Sequence, residues 1–565
     1  MLAGILAFAG CRPAHAVRDS DAEADDQQPA GPPASSTAMP RGAESVEQRA
    51  PGARPPAQIV ASFDGIGTDF VGPQGNASLR NPSDNSLAVG PDHIIQIVNT
   101  RMAIFSKKGR RYDTTGTALY GPVPTDNVFR GFGGVCETHN NGDAVVRYDQ
   151  LADRWLIVMP IFSRMPVTPD EPAAPVSGGP AVASQIRHVG QPGAAESLFV
   201  PPRAPPTPPA PPGPRPNPAT RETGSYAMCY AVSTTTDPFG PWYRYEFIRP
   251  LFPDYPRPAV WPDGYYVPTS TGDEVIQKQA CVVDRNRMLR GENATEQCVI
   301  IDGVNFLNNA DVDGRSPPPD GAPNIMMAAG GAQLNRIMED SVVLAWTFHV
   351  DWNDPSRTRV DGPARIPVAP YHYLCDGQLS NCVPQPGTDR RLDAQGDKIM
   401  SRLVYRRIGK RASIVAVHSV NTSAGAGGVR WYEFRLDKHR NIGLWQQGTL
   451  APDSAFRWMA SPAMDSRGDI GIGYSYGGSP RFAGQRFAAR RDGDPRGMLT
   501  LAETVLAEGD GVQTNTMRWE DYAQTAMDPS DDCTIWYVGD YLKKDAPSYS
   551  TRIGGFRIPG CRPIR

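Results

Sequence analysis

The chain has 565 residues, a formal net charge of −3 and 40% apolar side chains, enough for a sizeable core. Its near-balanced charge offers no basic surface to hold a nucleic acid, and no apolar run reaches the roughly 20 residues that span a bilayer as a helix. Glycine (56) and proline (57) each make up about a tenth of the residues, which for proline is about twice the usual share.

In chain order, the apolar stretch from Leu2 to Gly10 reads as the core of an export signal. Phe8-Ala9-Gly10-Cys11 resembles a bacterial lipobox, with the Cys11 sulfur as the lipid carrier, and the rival reading is cleavage after Ala14-His15-Ala16. Residues 1–16 form this signal region. Residues 17–58 are polar, rich in Pro and Ala, and poor in the apolar side chains that offset ordering entropy, so they are expected to be a disordered linker. Residues 59–565 form the folded part, interrupted by a Pro-rich insertion at 165–222 that is expected to be disordered. Within it, the pairs Pro201-Pro202, Pro205-Pro206, Pro208-Pro209 and Pro211-Pro212 cannot donate to a strand ladder. The apolar runs that flank it, 155–158 and 227–232, are expected to be neighbours.

The rest reads as strands and turns, with no long amphipathic helix pattern. One short phrase recurs four times: Ala88-Val89-Gly90-Pro91, Ala259-Val260-Trp261-Pro262, Ala463-Met464-Asp465-Ser466 and Ala526-Met527-Asp528-Pro529. Each copy precedes another strand-like stretch, and Arg457-Trp458 and Arg518-Trp519 precede the last two. Alanine suits a crowded inner strand, and the Gly, Pro or Asp that follows makes the turn. Hairpins centred near 92, 151, 263, 340, 409, 467 and 531 give seven units. An all-β chain built of such repeats is expected to be a β-propeller, most simply seven-bladed, though six or eight blades also fit.

Apart from Cys11 there are eight cysteines, an even number that suits four disulfides in an oxidising compartment. The expected pairs are Cys281–Cys298 and Cys375–Cys382 as local loops, Cys533–Cys561 at the C-terminus, and Cys136–Cys229 as the remaining pair. Spacing alone does not fix connectivity. No CxxC pair occurs and no His sits at ligand spacing from two cysteines, so a zinc site is not expected.

Several phrases carry a family resemblance. They are Gly131-Phe132-Gly133-Gly134 to Cys136, Gly142-Asp143 through Arg154-Trp155, Ala231-Val232-Ser233-Thr234-Thr235 with Asp237-Pro238, Val260 to Tyr266, Pro384 to Thr388, and Arg518-Trp519-Glu520-Asp521-Tyr522. Over residues 60 to 561 the chain resembles a family of secreted bacterial β-propeller proteins, mostly uncharacterised and loosely sialidase-like in fold. That resemblance implies the fold and carries no catalytic assignment.

Candidate chemistry centres on Arg402, Arg457 and Arg518, each placed at the start of an expected inner strand. Three guanidiniums converging at the mouth of a funnel would grip a carboxylate by paired hydrogen bonds. A sialidase-like or other glycoside-acting enzyme would also need a nucleophile such as Tyr522 and an acid/base such as Asp521 or Asp143. The sialidase Asp-box is absent, and Asp465 to Asp469 only echoes it. Trp261, Trp458 and Trp519 are candidate stacking platforms for a sugar, set against packing between blades. The oxygen-rich turns Asp84-Asn85 and 140–143 are candidate calcium ligands, although Asn and Asp are also ordinary turn residues. No other cofactor is expected. No catalytic signature stands out, so the chain reads as an exported cell-envelope binding module for a glycan or protein. Its expected membrane contact is through the N-terminal lipid alone.

Overall fold

The computed structural model describes residues 40–165, 181–184, 186–190, 224–270, 277–304, 306–329, 341–376, 381–396 and 398–562. The signal region and Cys11 lie outside them. The described residues are all-β, as expected. Their two α-helices, Gly134–Thr138 and Arg285–Leu289, are five residues each. No helix among them is long and apolar enough to cross a membrane.

Among the described residues, seven units built on four antiparallel strands follow one another, and three of them carry further strands. The first strands of the units are Ser86–Val89, Val145–Asp149, Ala259–Trp261, Asn308–Asp313, Leu403–Ile408, Phe456–Met464 and Gln524–Met527. Each packs beside the first strand of the next unit, and the seventh beside that of the first. Between units four and five these strands pair in parallel, Ala310 opposite Leu403 through Asp313 opposite Arg406. The last unit takes its outer strand from the other end of the chain, with Gln58–Asp64 pairing with Ser550–Arg557.

Sequence explains the two-sided packing. The run Arg154–Ile161 is apolar without alternation, which marks a strand buried on both faces. Its alternate side chains point opposite ways. Trp155, Ile157 and Met159 pack towards unit one with Ile95, Ile97 and Ile104. Leu156 and Val158 pack towards unit three with Val260 and Tyr265. Each such side chain contributes roughly 1.5–3 kcal/mol when fully buried, so every unit leans on both neighbours.

The four copies of the repeated phrase hold equivalent places, at the end of a first strand and the turn that follows. Ala88, Ala259 and Ala463 are all but fully buried there. The Asp465 carboxylate accepts from the Arg467 and Asp469 amides (2.8 and 3.0 Å), closing its own turn. Six of the seven expected hairpins join first and second strands. The one near 340 joins the second and third strands of unit four, Asn324–Ala329 and Val342–His349. The first strand of that unit is Asn308–Asp313, so this is a correction. Its alternating Asp311 and Asp313 hide an inner strand behind a polar pattern.

All four expected disulfides are present: Cys136–Cys229, Cys281–Cys298, Cys375–Cys382 and Cys533–Cys561. Two expected disordered segments need correction. From residue 40 onward the linker is packed against units five and six. Glu47–Gln48 pairs with Thr449 and Leu450, and the Gln48 amide donates to Leu499 O (2.9 Å) and accepts from Leu499 N (2.8 Å). At Gly52 a Cβ would lie 2.0 Å from Leu501 O. Backbone pairing, not apolar burial, holds this strap, which is why its composition reads as disordered. In the insertion, Val182–Ser184 pairs with Glu296–Cys298 and Ile186–Gly190 with Arg244–Phe247. That stretch contains no proline after Pro180 and before Pro192 and carries β-branched Val182, Ile186 and Val189. The remainder of the insertion lies outside the described residues. The flanking strands are neighbours as expected, Leu156 opposite Val232 to Ile161 opposite Ala227.

Candidate functional site

The residues that lead into the first strands, here called the front end, hold an unusual backbone. Asp84, Asp143, Tyr255, Gln395, Ser401, Glu520 and Asp521 all have positive φ, between 44° and 58°. None is glycine, and each such residue costs of order 1 kcal/mol or more.

Their side chains interlock across units. The Asp143 carboxylate accepts from Tyr255 N (3.2 Å), and the Tyr255 hydroxyl donates to Asp521 O (2.9 Å). Arg518 grips the Asp521 carboxylate through Nε (3.2 Å) and Nη2 (2.5 Å), and Gln395 Nε2 donates to it (3.1 Å). Lys398 donates to Gln395 and lies 4.0 Å from the Phe306 ring centroid. The Arg257 guanidinium sits between the rings of Tyr255 (3.3 Å) and Tyr522 (4.0 Å). Outside this knot, Phe252 and Arg164 form a half-buried rim, while Asp254 interacts with Asp521 and Asp143 of the knot. Phe252 contacts Phe162 (4.9 Å) and Tyr226 (5.4 Å), and Arg164 lies over Tyr226.

Burial dominates the electrostatics. Burial and the Asp521 charge push Asp393 up to about 7, against the pull of Arg518. Burial, then Asp521, also raises Asp254. Burial and the Asp143 charge hold the Tyr522 hydroxyl well above its ordinary range, so it stays protonated. That hydroxyl has no hydrogen-bond partner among the described residues.

Deeper between the first strands is a small space of about 20 Å³ lined by Ala88, Arg147, Asp311, Asp313, Arg402 and Gln524 among others. Arg402 donates to Asp311 (2.7 Å) and Asp313 (2.7 Å). Arg147 lies 3.5 Å from Asp311.

The expected convergence of three arginines is therefore corrected. Arg402 is paired deep between the first strands and Arg518 at the front knot. Arg457 is 0% exposed and forks onto Glu503 (2.8 and 2.9 Å) while meeting Asp453 (2.9 Å). It lies inside its strand, not before it, so its side chain turns to the edge of its own unit. Asp143, Arg518, Asp521 and Tyr522 do come together. Trp261 does not: it lies at the far end of a first strand, edge-on to Tyr405 (4.9 Å). Trp458 and Trp519 are buried neighbours 6.2 Å apart, packing residues rather than platforms.

Sequence reading missed Tyr255, Arg257, Gln395, Lys398 and Phe252. Tyr255-Pro256-Arg257-Pro258 directly precedes one copy of the repeated phrase, so position relative to that phrase was the available signal. Of the turns considered for calcium, Asn85 Nδ2 donates to Asp540 (2.6 Å) and Asn99 Nδ2 to Asp84 (2.8 Å). Among the described residues the one grouping of metal-capable side chains is Cys281, Glu296 and Cys298. Its sulfurs are bonded to each other, and Glu296 pairs with Arg249 at 2.6 Å.

No family model matches the chain, and no curated protein matches it. Among solved structures it is similar to a protein of unknown function from Dyadobacter fermentans, at 10% identity and a TM-score of 0.33, over 89% of this chain and all of the other. It is also similar to a leech intramolecular trans-sialidase (10% identity, TM-score 0.34, 74% of this chain and 67% of the other). A neuraminidase-like protein of subtype N10 from a little yellow-shouldered bat influenza A virus aligns at 6% identity and a TM-score of 0.28, over 89% and 99%. Likeness at this level carries nothing about chemistry.

Proposed function

We propose that the chain is a seven-bladed β-propeller, each four-stranded unit a blade, that binds a carbohydrate at its front end without cleaving it. The strand Gln58–Asp64 in the seventh unit supports ring closure, because it joins the two ends of the chain in one sheet. The observation that carries the binding site is the gathering of seven strained non-glycine residues at the front end. Such strain persists where the surroundings over-determine it and clusters at ligand sites. Tyr255 and Tyr522 are buried and brace the rim. Phe252 and Arg164 are the groups a sugar meets first: an aromatic face beside a donor.

The arginine ion pairs weigh against a glycosidase, since Arg402, Arg457 and Arg518 are each committed to carboxylates in separate places. One observation favours the enzyme as a second reading: the protonated Tyr522 hydroxyl, lacking a partner, is grouped with Asp143 and Arg257. The four disulfides fit an oxidising compartment, and the reading places the protein at the cell envelope, held by a lipid on Cys11. A glycan array on the full chain tests it, followed by hydrolysis assays on each hit. The expected result is reversible binding that Phe252→Ala abolishes while the variant still unfolds in one cooperative transition, with no released sugar. Hydrolysis that Tyr522→Phe removes establishes the enzyme instead.

A further inference from the structure

At the opposite end, where the first strands run out into their turns, units four and five line an open pocket of about 340 Å³. That is near the lower end of the range for small-ligand sites. One wall is apolar: Pro318, Pro319, Pro323 and Ile325, backed by the buried Trp261. The other wall is cationic: Arg407, Lys410, Lys438 and Arg440. Arg407 already donates to Gly409 O (3.2 Å) and Pro317 O (3.0 Å). Lys410, Lys438 and Arg440 have no ion-pair partner among the described residues.

The lining carboxylate, Asp437, makes no ion pair with them among the described residues. Its oxygens accept from His439 N (2.7 Å), Asn441 N (2.9 Å) and Asn441 Nδ2 (2.9 Å). Between the walls stands Tyr405, 1% exposed, with a hydroxyl that has no hydrogen-bond partner. Burial pushes that hydroxyl up to about 12, against the influence of Arg407 and Arg440, so at neutral pH it is a donor. The three cations are exposed, and an anion with an apolar body would pair with them, meet the buried donor and cover the apolar wall.

We propose that this pocket binds an amphiphilic organic anion, its acidic head on Arg440, Lys410 and the Tyr405 hydroxyl and its apolar body against Pro319 and Pro323. The site is independent of the front-end carbohydrate reading. Calorimetry on the full chain tests it with four probes: naphthalene-2-carboxylate, naphthalene-2-sulfonate, neutral 2-naphthalenemethanol and inorganic phosphate. The two aryl anions are expected to bind once per chain, and the neutral analogue and phosphate at least about tenfold more weakly. Arg440→Gln combined with Lys410→Gln lowers aryl-anion affinity at least about tenfold. Tyr405→Phe lowers it roughly fivefold while the melting temperature holds or rises, because an unsatisfied buried hydroxyl is removed. The proposal is overturned if neither aryl anion binds, if the neutral analogue or phosphate binds as tightly, or if the variants leave affinity unchanged.

Discussion

Arg402 is the cation on which the innermost strands of three units depend, and Arg402→Met should expose that dependence. Its guanidinium donates to Asp311 and Asp313, both at 2.7 Å, and to Thr525 O at 3.4 Å. The arginine is 5% exposed and its two acids 3% and 1%. Two charge-assisted bonds at about 1.5–3 kcal/mol each and the usual cost of stranding a buried ion agree on a loss of about 3–5 kcal/mol. The two acids fare differently. Asp311 keeps Val260 N (2.9 Å) and Arg147 (3.5 Å). Asp313, already raised by burial, loses the guanidinium that most lowers it. Without Arg402 it takes up a proton, and holding that proton costs more as pH rises, so the loss is larger at pH 8 than at pH 5. Urea unfolding followed by tryptophan fluorescence measures this on the full chain. Adding Asp313→Asn should restore at least about 1 kcal/mol, since the stranded charge is gone. A single variant within about 0.5 kcal/mol of the parent, or a double variant that merely adds the two losses, refutes the reasoning.

The disulfides should rank by the loop each closes. Removing Cys533–Cys561 (separation 28) costs about 3.6 kcal/mol and Cys375–Cys382 (separation 7) about 2.4 kcal/mol by loop entropy; paired Cys→Ser variants in urea give the order, and a reversed order contradicts it. Gln48→Ala removes two hydrogen bonds to Leu499 and should lower stability by about 1–3 kcal/mol. An unchanged midpoint would show that the strap is the idle linker its composition suggests. Asp540, buried beside Glu520, is held up to about 7. An acid raised in the folded state binds its proton more tightly than in the unfolded chain, so its contribution is present at low pH and is lost between about pH 4 and 7. Asp540→Asn should flatten that part of the stability profile by up to about 4 kcal/mol, and an identical slope in the variant would rule the group out.

Much of the fold was legible because its determinants are local. The phrase Ala-x-x-Pro/Ser marks the turn after a first strand in four units, and continuous apolar runs such as 155–158 reveal strands buried on both faces. Unit four escaped because Asp311 and Asp313 interrupt its inner strand to meet Arg402, a contact with another unit that no local pattern contains. The strap escaped for a related reason: Gln48 is ordered by Leu499, some 450 residues away in sequence. At the front end, residue type and position singled out Asp143, Arg518, Asp521 and Tyr522, which the fold groups together. They did not tell how side chains are shared out. Arg457 reads like Arg518 in sequence, yet its carboxylates, Asp453 and Glu503, lie at the edge of its own unit.

The most direct test is crystallography of the full chain soaked with a glycan that scores on the array. The account predicts an intact sugar seated on Phe252 beside Arg164, with Arg402, Arg457 and Arg518 still in their ion pairs. A sugar seated elsewhere, or a cleaved one bonded to Tyr522, would contradict it.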